Sequence, residues 1–145
     1  MTPFKRIALV ANVELAEITD PLKRLCCFLE KEGYSVFLEK KTSNLIDSKN
    51  IPIFDHLDKN LDLDLIIVVG GDGSMLSVGR SATDLNIPLL GVNRGRLGFL
   101  TDILPDDMEN QLKRVLSGDY IISNRFLLEV SLLRNGAKFS SGEAI

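Results

Sequence analysis

Leu65-Ile66-Ile67-Val68-Val69-Gly70-Gly71-Asp72-Gly73-Ser74 is the stretch on which the reading of the fold turns. Five consecutive aliphatic residues without polar alternation read as a strand buried on both faces, the signature of a parallel sheet. Three glycines among the next four residues let the backbone turn sharply and approach a ligand closely. Asp72 is the odd member. A loop that only cradled phosphate would gain nothing from a carboxylate, because like charges repel. An acid fixed there suits a hydroxyl, a metal ion or both, and the combination points to phosphoryl transfer.

Outward from this strand, strands and helices alternate. Residues 5–11 read as a first strand. Lys5-Arg6 before Ile7-Ala8-Leu9-Val10-Ala11 resembles a secretory leader, but the apolar stretch is too short and runs into Asn12 and Glu14. Thr19-Asp20-Pro21 offers an N-cap and a proline near the first helical position. Leu22, Leu25, Cys26 and Leu29 follow at helical spacing, and Gly33 marks the end. Val36-Phe37-Leu38 make a second strand. Residues 41–60 are polar and irregular, with room for a short helix, and His56 there reads as a surface residue.

Residues 64–69 form the third expected strand, and a helix is expected from near Ser74 to about Asp84. Pro88 to Val92 make another strand. A further helix starts at Pro105, with Met108, Leu112, Val115 and Leu116 on one face and Gly118 beyond it. The alternation predicts an α/β fold, a doubly wound, Rossmann-like parallel sheet over residues 1–120.

Beyond that point the texture changes. Phe126, Leu128, Val130 and Leu132 alternate with Leu127, Glu129, Ser131 and Leu133, and Asn135-Gly136 is a strong hairpin signal. Residues 121–145 are expected to open a separate β-rich domain; the alternative is a hairpin paired onto the edge of the preceding sheet.

The bulk composition narrows the function classes. With 145 residues, 45% hydrophobic and 26% charged, the chain has the make-up of a soluble globular protein. A net charge of −3 supplies no basic field for nucleic acid. No apolar run approaches the roughly 20 residues of a membrane span. Any anionic ligand must be held by local devices such as helix N-termini, backbone N–H groups or a few arginines. Cys26 and Cys27 are adjacent, without metal-ligand spacing, and read as one core thiol and one bystander. A cytoplasmic protein is expected.

A second glycine-rich segment, Gly91-Val92-Asn93-Arg94-Gly95-Arg96-Leu97-Gly98-Phe99-Leu100, also follows a strand. Ligands of open α/β sheets bind beyond the C-terminal strand ends, so both segments are placed to face one crevice. Neither fits the dinucleotide fingerprint or the P-loop pattern. Asp72 has two readings, a proton acceptor for an acceptor hydroxyl or a cap on the helix behind it. Arg94 and Arg96 read either as phosphate clamps or as solvated surface residues. Arg80 falls mid-helix on a solvated face, and Asp102, Asp106 and Asp107 suit the dipole of the helix they precede.

On Gly70-Gly71-Asp72-Gly73-Ser74-Met75-Leu76 and Gly91 to Asp102 the chain closely resembles the NAD kinase family, the inorganic polyphosphate/ATP-NAD kinases. The first motif is shared with diacylglycerol-type lipid kinases and phosphofructokinases; the second is far more specific. The resemblance implies transfer of a phosphoryl group from ATP or polyphosphate, with a divalent metal ion such as Mg²⁺, to the 2′-hydroxyl of the adenosine ribose of NAD, giving NADP. It makes Asp72 the catalytic proton acceptor and puts Gly71, Asp72, Gly73, Leu76 and Phe99 at the NAD site, with no residue here as metal ligand. Members of the family continue into an all-β domain that completes the site and the oligomer interface. This chain is therefore expected to be the N-terminal part of a homo-oligomeric enzyme, with little or no activity alone. The alternatives are a lipid or sugar kinase sharing only the first motif, and a non-catalytic nucleotide-binding module.

Overall fold

The computed structural model describes residues 3–14, 16–96 and 98–145. Its framework is a parallel sheet of β1 (Arg6–Ala11), β2 (Ser35–Glu39), β3 (Ile53–Phe54), β4 (Leu65–Gly70) and β5 (Leu89–Asn93), in the order β3-β2-β1-β4-β5. The helices are α1 (Thr19–Lys31), α2 (Lys40–Ser43), α3 (Asp72–Ala82) and α4 (Met108–Leu116).

Successive side chains of a strand point to opposite faces, and the core divides accordingly. Ile7 and Leu9 of β1, with Leu65, Ile67 and Val69 of β4, pack on one face against Leu22, Leu25 and Leu29 of α1 and Met108, Leu112 and Leu116 of α4. Ala8, Ile66 and Val68 face the other way, toward Val78 and Ala82 of α3. Every residue of β4 is buried, as the unbroken aliphatic run requires. The sheet is doubly wound, and its order reverses between β1 and β4, which opens a crevice past their C-terminal ends.

Local chemistry sets the element ends. At the close of α1, Gly33 takes φ +88, its N–H donates to the Glu30 carbonyl, and the Tyr34 N–H donates to that of Leu29. This is the Schellman arrangement, which satisfies carbonyls left over by the helix. Gly118 repeats it after α4, with bonds from Gly118 and Asp119 to Val115 and Arg114. Thr42 of α2 is fully buried, and its hydroxyl accepts from the Ala11 N–H at 2.8 Å, satisfying the last residue of β1.

Several boundaries differ from expectation. Thr19 does not cap α1: a 3₁₀ turn over Ala16–Ile18 leads directly into it, so Thr19 is already helical. Ile53–Phe54 forms a two-residue edge strand inside the segment expected to be irregular, held by its pairing with Leu38 and Glu39. The helix expected near Ser74 starts at Asp72, because extended Gly71 occupies the cap position. Cys26 is buried and Cys27 exposed, as expected.

β6 (Leu128–Arg134) and β7 (Ala137–Ala144) make a two-stranded antiparallel sheet of their own, not an extension of the parallel one. Asn135 and Gly136 have φ +53 and +75, which matches the primed turn that suits a two-residue hairpin. All the residues of both strands are exposed.

Candidate functional site

Gly70 ends β4 at the crevice, beside β1. Asn12 leaves β1 there and its N–H donates to the Val69 carbonyl at 3.2 Å. The chain then turns through Gly71 into α3, whose N-terminal end carries the positive pole of the helix. A Cβ on Gly70 would lie 2.5 Å from Ser74 Oγ and 2.9 Å from Ser74 Cβ, so a side chain there would have to displace the first turn of α3. Gly71 and Gly73 are different. Nothing described lies within 4 Å of where their Cβ atoms would stand, and neither has positive φ. Packing within the described chain therefore does not require glycine at either, and the free space lies at the mouth of α3.

Asp72 is the first residue of α3, and its side chain does not fold back to cap the helix. It crosses to the second glycine-rich segment. Oδ2 accepts from the Phe99 N–H and Oδ1 from the Leu100 N–H, both at 2.9 Å. Those two amides, that of Phe99 foremost, hold the carboxyl below its ordinary range against a smaller opposing effect of burial. A Cβ on Gly98 would collide with the Asp72 carboxylate, so Gly98 is what admits it.

The second segment leaves β5 at Asn93 and returns to it at Ile103. Asn93 N–H donates to the Ile103 carbonyl at 2.7 Å, and Ile103 N–H to that of Gly91 at 3.3 Å. At the outgoing stem Asn93 Oδ1 accepts from the backbone N–H groups of Gly95 (2.9 Å) and Arg96 (2.7 Å). Across the neck Asn93 Nδ2 donates to Thr101 Oγ1 at 2.7 Å, and both side chains are buried.

The structure thus joins Asp72 with Phe99 and Leu100, and sets Gly71 and Gly73 beside that contact. Leu76 is half-buried one turn further along α3, and the Phe99 ring is 97% exposed. Leu97 lies outside the described residues. Arg80, Arg94 and Arg96 are exposed. Asp102, Asp106 and Asp107 are exposed too, and Asp107 accepts from the side chains of Asn110 and Gln111. A cleft of about 310 Å³ opens elsewhere, between the start of α1 and segment 94–106, with Arg24 and Arg94 facing Glu17, Asp20 and Asp106. Its mixed charge favours no ligand sign, and Asp72 is not part of it.

Asn93 and Thr101 were missing from the candidates. The only trace of either in the sequence was their place inside the second motif. Among the described residues no three His, Cys, Asp or Glu side chains converge as a metal cage, and no helix is long and apolar enough to cross a membrane.

The profile of the ATP-NAD kinase N-terminal domain matches residues 7–120. The NAD kinase of Hahella chejuensis is 44% identical over 142 residues, 98% of this chain and 48% of that protein. That of Teredinibacter turnerae is 44% identical over 145 residues, 100% of this chain and 50% of that one. The chain thus spans about half the length of the curated relatives it matches. Among solved structures, yeast NADH kinase complexed with NADH superposes with a TM-score of 0.70 at 18% identity, over 99% of this chain and 47% of that one. An NAD kinase from Archaeoglobus fulgidus in complex with ATP gives 0.56 at 24% identity, over 92% and 45%. At those identities the two structures speak for the fold.

Proposed function

The chain belongs to the ATP-NAD kinase family, whose N-terminal domain it carries, and we propose that it supplies the acid-bearing half of a site that phosphorylates the 2′-hydroxyl of the adenosine ribose of NAD. The donor is ATP or polyphosphate, the product NADP, and the activity is proposed for a chain of the length its relatives have. The observation that carries the reading is the Asp72 carboxylate, set across the crevice mouth between two glycine-rich segments, with open space over Gly71 and Gly73.

Asp72 is ionised at neutral pH, because two backbone N–H groups stabilise its charge. Each oxygen keeps acceptor capacity beyond its one amide bond, enough to receive the ribose hydroxyl and orient its oxygen. A carboxylate so stabilised is a weak base. Phosphoryl transfer tolerates that, since a loose transition state asks for positioning and charge stabilisation more than for early proton removal. The N-terminal N–H groups of α3 favour phosphate over Gly71 and Gly73, and Leu76 and Phe99 offer apolar surface beside it. A divalent ion bound with the donor would neutralise the phosphate charge that develops in such a reaction.

Cytoplasmic location and self-association of the family-length protein belong to the same reading. The free cysteines suit a reducing compartment, and the apolar side chains exposed on β6 and β7 suit burial against further protein.

Two measurements test the proposal. Adding NAD to the isotopically labelled chain should shift the amide signals of Gly71, Gly73, Leu76 and Phe99. In the family-length protein Asp72→Asn should lower NADP formation about 10²- to 10⁴-fold while NAD binding survives. Unchanged turnover would remove the proton-acceptor role.

A further inference from the structure

Segment 94–102 contains no helix or strand among its described residues, yet it aims two N–H groups at one carboxylate. Something outside regular structure must fix it. The stem bonds of Ile103 hold the returning strand end, and the Asn93 Oδ1 bonds hold the outgoing turn. Between them only the Asn93–Thr101 side-chain bond spans the neck among the described residues, directly behind Phe99 and Leu100. Asn93 is 2% exposed and Thr101 0%, so water cannot replace a lost partner.

We propose that Asn93 and Thr101 are positioning residues for Asp72: their buried hydrogen bond closes the neck of the segment and so aims the Phe99 and Leu100 amides at the carboxylate. The proposal rests on the phosphoryl-transfer reading only for the use made of the aimed acid. Without the Thr101 hydroxyl, Asn93 Nδ2 is a buried donor with no acceptor. The Asn93 side chain then turns to find one and draws Oδ1 away from the Gly95 and Arg96 amides. Both ends of the segment slacken, and the amides no longer converge on Asp72.

The competing account is that Thr101 only fills space. Its Cγ2 lies 2.7 Å from where a Gly91 Cβ would stand, so its methyl is tightly housed. Two substitutions separate the accounts, because Thr101→Val keeps the methyl and removes the hydroxyl, while Thr101→Ser does the reverse. Amide hydrogen exchange and the titration of the Asp72 side-chain carbon are followed by NMR in the 145-residue chain. In Thr101→Val, exchange at Phe99 and Leu100 should rise by about tenfold or more, and Asp72 should titrate nearer the ordinary carboxylate value. Thr101→Ser should behave as the wild type in both, and the amides of Ile66 to Val68 should stay protected throughout. Wild-type behaviour in Thr101→Val, or loss of both properties in Thr101→Ser, overturns the proposal. If Thr101→Val does not fold, Thr101→Ser decides it alone. No substrate enters the experiment, so a failed kinase assay and a failed positioning role are distinguishable.

Discussion

Asp72 and Phe99 meet through the backbone: the Phe99 N–H donates to Asp72 Oδ2 at 2.9 Å while the Phe99 ring stands 97% exposed. The amide is committed inward and the ring left free, so one residue both holds the acid and offers a surface beside it.

That bond should respond to pH in a defined direction. The carboxyl titrates lower in the folded chain than its unfolded value of ~3.9. Its contribution is therefore fully present above that value and is lost as pH falls through the lower folded one. The amide shifts of Phe99 and Leu100 should move together, with a shared midpoint below ~3.9. Separate midpoints, or one above the ordinary range, would contradict the geometry.

Gly98→Ala should act on the site with little effect on the fold. The new Cβ would fall on the Asp72 carboxylate, and that short, half-buried side chain can rotate away by giving up its amide bonds. Stability by denaturant titration should fall only by what the released carboxylate bonds contribute, with the slope of the transition unchanged. The low Asp72 titration should nevertheless be lost, and with it activity in the family-length protein.

Gly91→Ala should do the opposite. Its Cβ would stand 2.9 Å from Thr101 Cα and 3.1 Å from Met75 Sδ, and a backbone atom cannot simply swing aside. Overpacking of this kind costs about 1–3 kcal/mol, measurable as a lower denaturant midpoint.

Arg24 in α1 grips Glu109 in α4 with two nitrogens, Nη2 to Oε2 at 2.8 Å and Nε to Oε1 at 3.1 Å. Burial pushes the Glu109 carboxyl up, but the Arg24 hydrogen bond, a bond from the residue's own backbone N–H and the Arg24 charge together hold the group low. Both side chains remain over a third exposed, so a double-mutant cycle should give no more than ~1 kcal/mol of coupling. That coupling should shrink with added salt.

Burial raises the Cys26 thiol to about 11, with Glu30 and Cys27 adding to the effect. At pH 8 a thiol reagent should modify Cys27 alone, and a second equivalent should react only on unfolding. Two fast equivalents in the native protein would show that α1 is not seated as described.

How much of this was legible in the sequence depends on where the information sits. β4 and the turn after it were readable because five aliphatic residues and three glycines are a local signal. Asn135-Gly136 announced the hairpin for the same reason, though not the irregularity between Leu132 and Leu133. The strand Ile53–Phe54 was not readable, since two residues carry no periodicity and exist as a strand only by pairing with β2. The start of α3 was misplaced because Asp72 resembles a cap, while its real partners lie 27 and 28 residues away. Asn93 and Thr101 were invisible for a related reason: their bond exists only once the segment between them has turned back on β5.

The register of β5 has a consequence for quality control. Val92 sits beside Val69 and Asn93 beside Gly70. A slip of one residue would send every β5 side chain to the opposite face, and Asn93 would leave the neck it closes. Because the amides that hold Asp72 are so distant in sequence, the acid comes to bear only after that strand has docked in frame. A mispaired molecule would be left with a slack carboxylate. Correct pairing of one edge strand is thus the checkpoint that separates a molecule with an aimed acid from one without.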